Sequence, residues 1–131
     1  MSLIDRLFKG NTISENNKQL DWIELTNESQ LPSLIVKSSV KPVLIFKYST
    51  RCGVSRMALK SFEKNYDIDS SKVALYFLDL LKFRKLSNEI SSKLNIIHQS
   101  PQVIVVKDKK VVYHDSHYEI SVSSIKIVLD K

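Results

Sequence analysis

Cys52 is the only cysteine among the 131 residues, and it is the chain's one soft nucleophile. It stands in the run Tyr48-Ser-Thr-Arg-Cys-Gly-Val-Ser-Arg-Met57, between an apolar stretch and a segment with helical spacing. A helix amino terminus carries free N–H groups and roughly half a positive charge. A thiol placed there loses its proton more readily, falling from a free pKa of about 8.5 into a range of roughly 3.5–7.5. Arg51 precedes the cysteine and Arg56 follows it by one helical turn, so both add positive potential. Gly53 leaves space beside the sulfur for another sulfur or a peptide backbone. Ser55 faces Cys52 across a turn. A hydroxyl there can hydrogen-bond a thiolate but cannot attack a disulfide. An isolated cysteine is often an inert small hydrophobe, but a loop-to-helix junction between two arginines is the setting of a reactive thiol. The chemistry expected is nucleophilic attack by sulfur, with no second thiol in the chain to resolve the product.

Ser100-Pro101 comes directly before another apolar run. Proline at that point removes a ladder donor and is tolerated at a strand start. In a cis bond it would turn the preceding backbone outward, ready to pair with an extended thiol ligand. Lys47 lies in the strand that delivers Cys52; it could stabilise a thiolate or a carboxylate, or snorkel from an edge. His98, His114 and His117 cluster around the last hairpin without the i, i+4 spacing of a helical metal motif. His117, just ahead of the final helix, is the one assigned to ligand binding.

The counts exclude other chemistries. Two glycines cannot build a dinucleotide fingerprint or a phosphate loop. One cysteine excludes an intrachain disulfide, a cysteine-rich zinc site and a dithiol redox pair. No metal site is expected, since a lone cysteine could ligate only with a partner chain or an exogenous thiol. The formal net charge of +6 suits anionic partners in general, from nucleic acid to carboxylated small molecules. The basic residues are scattered, without the aromatic interleaving of a nucleic-acid groove. The longest apolar run, Val73 to Leu78, is far too short to span a bilayer. Asp5 and Arg6 fall where a signal peptide needs its apolar stretch. The expected location is the cytoplasm, where a lone thiol stays reduced, with no membrane or nucleic-acid partner. The expected state is a monomer or weak dimer.

The elements that must position Cys52 follow from periodicity. Residues 1–20 read as an amino-terminal arm: a short amphipathic turn (Leu3, Ile4, Leu7, Phe8), then an Asn-rich connection. Residues 21–131 read as one domain. Strands are expected at Trp22–Leu25, Val43–Tyr48, Val73–Leu80, Val103–Lys107 and Lys110–His114, the last two joined through Asp108-Lys109. Helices are expected at Ser29–Ser39, Ser55–Tyr66, Phe83–Leu94 and Ser121–Leu129, the last capped by Ser121. The order β-α-β-α-β-α-β-β-α implies two parallel crossovers, an antiparallel hairpin and an α/β domain whose central mixed sheet is flanked by helices.

That order, with a cysteine after the second strand and a proline before the fourth, resembles the thioredoxin fold over Trp22 to Leu129. Within it, Ile45-Phe-Lys-Tyr-Ser-Thr-Arg-Cys-Gly-Val-Ser-Arg-Met-Ala-Leu59, His98-Gln-Ser-Pro-Gln102 and Ser116-His-Tyr-Glu-Ile120 are similar to the YtxJ family, the monothiol bacilliredoxin-like general stress proteins of the bacillithiol system. The resemblance implies a cytosolic thiol–disulfide oxidoreductase that removes bacillithiol from mixed disulfides on S-thiolated client proteins. Bacillithiol would be a small anionic co-substrate, with no cofactor bound. Cys52 would be the nucleophile, Arg51, Gly53, Ser55 and Arg56 would favour its thiolate, and Lys47, Ser100, Pro101 and His117 would bind the adduct. Monothiol glutaredoxins share Cys-Gly-x-Ser, but their Thr-Val-Pro is Gln99-Ser-Pro101 here and no glycine follows Gly53. Two other readings stay open: a redox sensor that accumulates an adduct on Cys52 without turning over a client, and an Fe–S carrier.

Overall fold

In a computed structural model, residues 20–131 are described, so the expected arm lies outside the described residues except for Leu20. Five strands, β1 (Ile23–Glu24), β2 (Val43–Tyr48), β3 (Ala74–Asp79), β4 (Gln102–Lys107) and β5 (Lys110–Ser116), form one sheet in the order β1-β3-β2-β4-β5. Four helices pack on it: α1 (Gln30–Lys37), α2 (Gly53–Asn65), α3 (Arg84–Leu94) and α4 (Val122–Leu129). The β1–β3 and β2–β3 pairs are parallel, and the β2–β4 and β4–β5 pairs are antiparallel. This is the expected mixed sheet and element order.

The central strand β2 is buried at all six positions, which is why its sequence is continuously apolar apart from Lys47. Its side chains alternate between two cores. Leu44, Phe46 and Tyr48 face the layer formed with α2 and α4, where Trp22, Phe62 and Phe77 surround Phe46. Val43 and Ile45 face the layer of Leu31, Leu34, Leu78, Leu86 and Ile90, beneath α1 and α3. Lys47 therefore points into the second layer, among apolar neighbours. The aromatic contacts around Phe46 lie 5.5–6.4 Å apart between centroids, the range in which rings add specific attraction to area burial.

The hairpin forms where expected. Asp108 (φ 53°) and Lys109 (φ 67°) both adopt the left-handed conformation that a two-residue turn of matching twist requires. Their backbone N–H groups donate to the Ser38 carbonyl (2.9 Å) and Ser38 Oγ (2.8 Å), so the hairpin tip is tied to the end of α1. At α4, Ser121 Oγ accepts from Ser124 N–H at 3.2 Å, the expected cap.

Most boundaries shift by one or two residues from expectation, and those near the thiol matter most. Helix α2 begins at Gly53, two residues before the expected Ser55, because its first turn carries no apolar stripe by which to recognise it. Strand β5 runs to Ser116 rather than His114, pairing Gln102 with Ser116. A 3-10 turn, His117–Glu119, then packs against α2. That turn has no sequence periodicity of its own, being a single turn long.

Candidate active site

Cys52 is the residue immediately before α2, in extended backbone (φ −108°, ψ 119°), and its side chain is partly exposed. Its own N–H donates to the Ser49 carbonyl (3.2 Å), and its carbonyl accepts from Arg56 N–H (3.3 Å). The thiol is thus fixed at the helix mouth. Its pKa is lowered from the ordinary value, chiefly by the Ser55 backbone N–H. The Val54 N–H, the Ser55 hydroxyl and the Arg56 guanidinium act in the same direction, and partial burial opposes them. These are the free N–H groups and the cation that the junction promised.

Ser55 is fully buried, and its Oγ accepts from Ser49 N–H at 3.2 Å. A hydroxyl has one proton to give and two lone pairs. With Ser49 taken as donor, the Ser55 proton is left for the sulfur. Ser49 also accepts from Arg51 N–H through its Oγ (3.4 Å), so one serine ties both sides of the loop. Arg56 is the arginine whose charge reaches the sulfur, while the Arg51 side chain stands exposed. At Gly53 a Cβ would meet only a terminal nitrogen of Arg56, at 3.8 Å. Among the described residues nothing else fills that side, so there the face next to the thiol is open to an incoming group.

Antiparallel pairing of Lys47 with Gln102 brings the exit of β2 and the entry of β4 to one end of the sheet. Ser100-Pro101 therefore stands at the same end as the loop to Cys52. The Ser100-Pro101 bond is cis, Pro101 is buried, and Ser100 Oγ is buried without a hydrogen-bond partner among the described residues. His117 (φ 55°) donates its backbone N–H to the Pro101 carbonyl at 3.1 Å. Cys52, Gly53, Ser55, Arg56, Ser100, Pro101 and His117 thus gather around one end of β2 and β4. His114 is exposed on β5. Lys47 is directed to the opposite face of the sheet, where its ammonium bonds the Ser87 carbonyl, Ser91 Oγ and His98 Nδ1.

Two further ionisable groups, on β2 and α2, are shifted by burial. The Tyr48 hydroxyl is pushed up in pKa by burial, with Arg56 lowering it and Asp79, Cys52 and Glu63 raising it, and its ring packs on Phe77 at 5.3 Å between centroids. Glu63, on α2, accepts from Trp22 Nε1 at 2.9 Å, and burial pushes its carboxyl up to about 7. The Trp22–Glu63 contact has no sequence signal, because the two residues are 41 positions apart and neither carries a motif.

Glu63 gives a pH prediction. A carboxyl whose folded pKa lies above its unfolded value contributes stability that is complete below the unfolded value, near 4.5, and is lost as pH rises through about 7. Glu63→Gln keeps an acceptor for Trp22 and cannot ionise. The variant should equal the wild type near pH 4 and exceed it at pH 8 by about 1 kcal/mol, since solvent still reaches the carboxyl and screens it. Urea midpoints at the two pH values check this.

Comparison with known proteins follows the same lines. The family model for monothiol bacilliredoxin BrxC matches residues 23–125. A solved structure described as a candidate oxidoreductase with a thioredoxin fold is 28% identical, with a TM-score of 0.68, over 82% of this chain and 92% of its own. The thioredoxin of Malassezia sympodialis is 18% identical (TM-score 0.62), over 92% of this chain and 96% of its own. That of Schistosoma mansoni is 22% identical (TM-score 0.59), over 83% and 93%. At those identities the two thioredoxins speak for the fold. Among the described residues no helix is long and apolar enough to cross a membrane.

Proposed function

Because this chain belongs to the monothiol bacilliredoxin BrxC family and has the thioredoxin fold, we propose that Cys52 removes bacillithiol from mixed disulfides on client proteins. The observation that supports this most is the thiol itself. It is the chain's single cysteine, held at the mouth of α2, lowered in pKa by Ser55 and Arg56, and open on the Gly53 side.

The Cys52 thiolate attacks the small thiol's sulfur in the client disulfide. A new bond joins Cys52 to the small thiol, the old disulfide breaks, and the client leaves as a thiolate. No second cysteine can expel the adduct, so a free small thiol must attack it. That step gives back the Cys52 thiolate and releases the small thiol as its symmetric disulfide. The rate depends on thiolate fraction and nucleophilicity together, so a moderately lowered pKa serves better than a very low one. Ser100-Pro101 and His117 would flank the adduct, and Arg51 and Arg56 would draw its carboxylates. Clients would be S-thiolated proteins of the same compartment, which we take to be the cytoplasm.

The test is turnover. A bacillithiolated protein incubated with catalytic amounts of this chain and excess bacillithiol should be reduced many times over, with one transient adduct, on Cys52, by mass spectrometry. An adduct that accumulates once per chain without reducing further client would instead mark a sensor. Equal rates with glutathione adducts would remove the bacillithiol assignment.

A further inference from the structure

Lys47 has no exposed surface, yet it lies in the middle of the sheet. A buried ammonium is costly unless each of its three N–H groups finds an acceptor. It finds three: the Ser87 carbonyl at 3.3 Å and Ser91 Oγ at 3.0 Å, both on α3, and His98 Nδ1 at 3.2 Å. The third contact fixes the histidine. Burial lowers the Lys47 pKa from 10.5 to about 8, so at pH 7 it is an ammonium, which only donates; Nδ1 is then the bare nitrogen and the imidazole proton sits on Nε2. His98 belongs to the segment between α3 and β4 that runs directly into Ser100-Pro101. The same segment has a second polar tether. Gln102, the cross-strand neighbour of Lys47, donates through Nε2 to the Ile97 carbonyl at 3.0 Å.

We propose that Lys47 is a positioning residue: by holding neutral His98 it sets the Ser100-Pro101 side of the thiol site, and a proton on His98 releases that hold. The importance of that side for exchange rests on the bacilliredoxin reading above. The grip itself does not. A proton on Nδ1 would place two cationic donors face to face. The charges acting on His98 are Lys47 from β2 and Arg84 from α3, both positive, and Gln102 from β4 is neutral. Burial first, then these two charges, lowers the His98 pKa from its ordinary 6.5, so the grip survives neutral pH and fails in acid.

The experiment is ¹⁵N-histidine NMR with amide hydrogen exchange on the full chain, followed from pH 7.5 to 5. His98 should be the Nε2–H tautomer at pH 7 and titrate below 6.5. The reporter of the site is the His117 amide, which bonds the Pro101 carbonyl. Its protection factor should fall at least tenfold as His98 protonates. In His98→Gln, whose side-chain oxygen can accept from Lys47 and does not titrate, that acid loss should vanish. In Lys47→Met, provided its amide spectrum remains that of the fold, the His98 midpoint should rise and the tautomers should mix. An Nδ1–H tautomer at pH 7, or a His117 amide that loosens equally in acid in His98→Gln, overturns the proposal. A chain that passes these tests but does not turn over bacillithiol adducts would retire the proposed substrate and leave the positioning role standing.

Discussion

Cys52→Ser will abolish client reduction, with a fall of at least about 10³-fold, the scale on which loss of a covalent nucleophile shows. The hydroxyl is far too weak an acid to ionise at this helix mouth, and oxygen cannot exchange into a disulfide. No other sulfur nucleophile of the cysteine type exists in the chain to take over. The fold should survive. Serine is a preferred residue immediately before a helix, and its hydroxyl can accept from the Val54 and Ser55 N–H groups that lower the pKa of the Cys52 thiol. Stability should therefore stay within about 1 kcal/mol of wild type, and on the favourable side. This separates loss of chemistry from loss of structure. Alkylation of the wild-type thiol by iodoacetamide across pH supplies the companion measurement. Its midpoint should lie below the free-thiol value of about 8.5, and Ser55→Ala should move it upward by removing the hydroxyl donor while leaving the Ser55 N–H in place. A Cys52→Ser chain with full activity would overturn the mechanism. A wild-type midpoint at the free-thiol value would remove the role given to Ser55 and Arg56.

The site divides into parts that local sequence determines and parts that it does not. Cys52, Gly53, Ser55 and Arg56 fall within five consecutive residues at a strand-to-helix junction, so helix geometry alone brings them together. The strands were legible because β2, β3 and β4 are buried on both faces, which leaves continuous apolar runs. Lys47 shows where such reading stops. Period two puts it on the same face as Val43 and Ile45, but its partners lie 40, 44 and 51 residues away, on α3 and the following loop. Sequence thus placed it beside a cysteine five residues on, whereas packing directs its ammonium into α3. Glu63 is similar: an ordinary helix acid until Trp22 closes over it. His117 lies at the site as the resemblance implies, and the contact it makes there is through its backbone N–H, on the Pro101 carbonyl.

The solitude of Cys52 carries the other large expectation. Ser55→Cys will change the course of the reaction rather than its speed. Position 55 is buried one turn from Cys52, and its side chain is one of the groups lowering the thiol's pKa, so a sulfur there would lie within reach of the Cys52 sulfur. When Cys52 carries the small thiol, the new thiolate attacks the Cys52 sulfur. The bond to the small thiol breaks, the small thiol leaves with the electron pair, and an intramolecular disulfide remains. Intramolecular attack competes with external thiol at an effective concentration far above millimolar, since well-oriented neighbouring groups reach about 10⁵ M or more. Mass spectrometry after a single turnover should therefore find the adduct on nearly all wild-type chains but on fewer than about a tenth of variant chains, which instead are oxidised internally. Regeneration should then call for a dithiol reductant in place of the small thiol. Replacing the hydroxyl also weakens the bond from Ser49 N–H, at a cost of about 1 kcal/mol. That loss is small enough for the variant to fold. If the adduct persists on Cys52 in the folded variant, then position 55 does not face the reacting sulfur, and the Ser55 hydroxyl cannot be what steadies the thiolate.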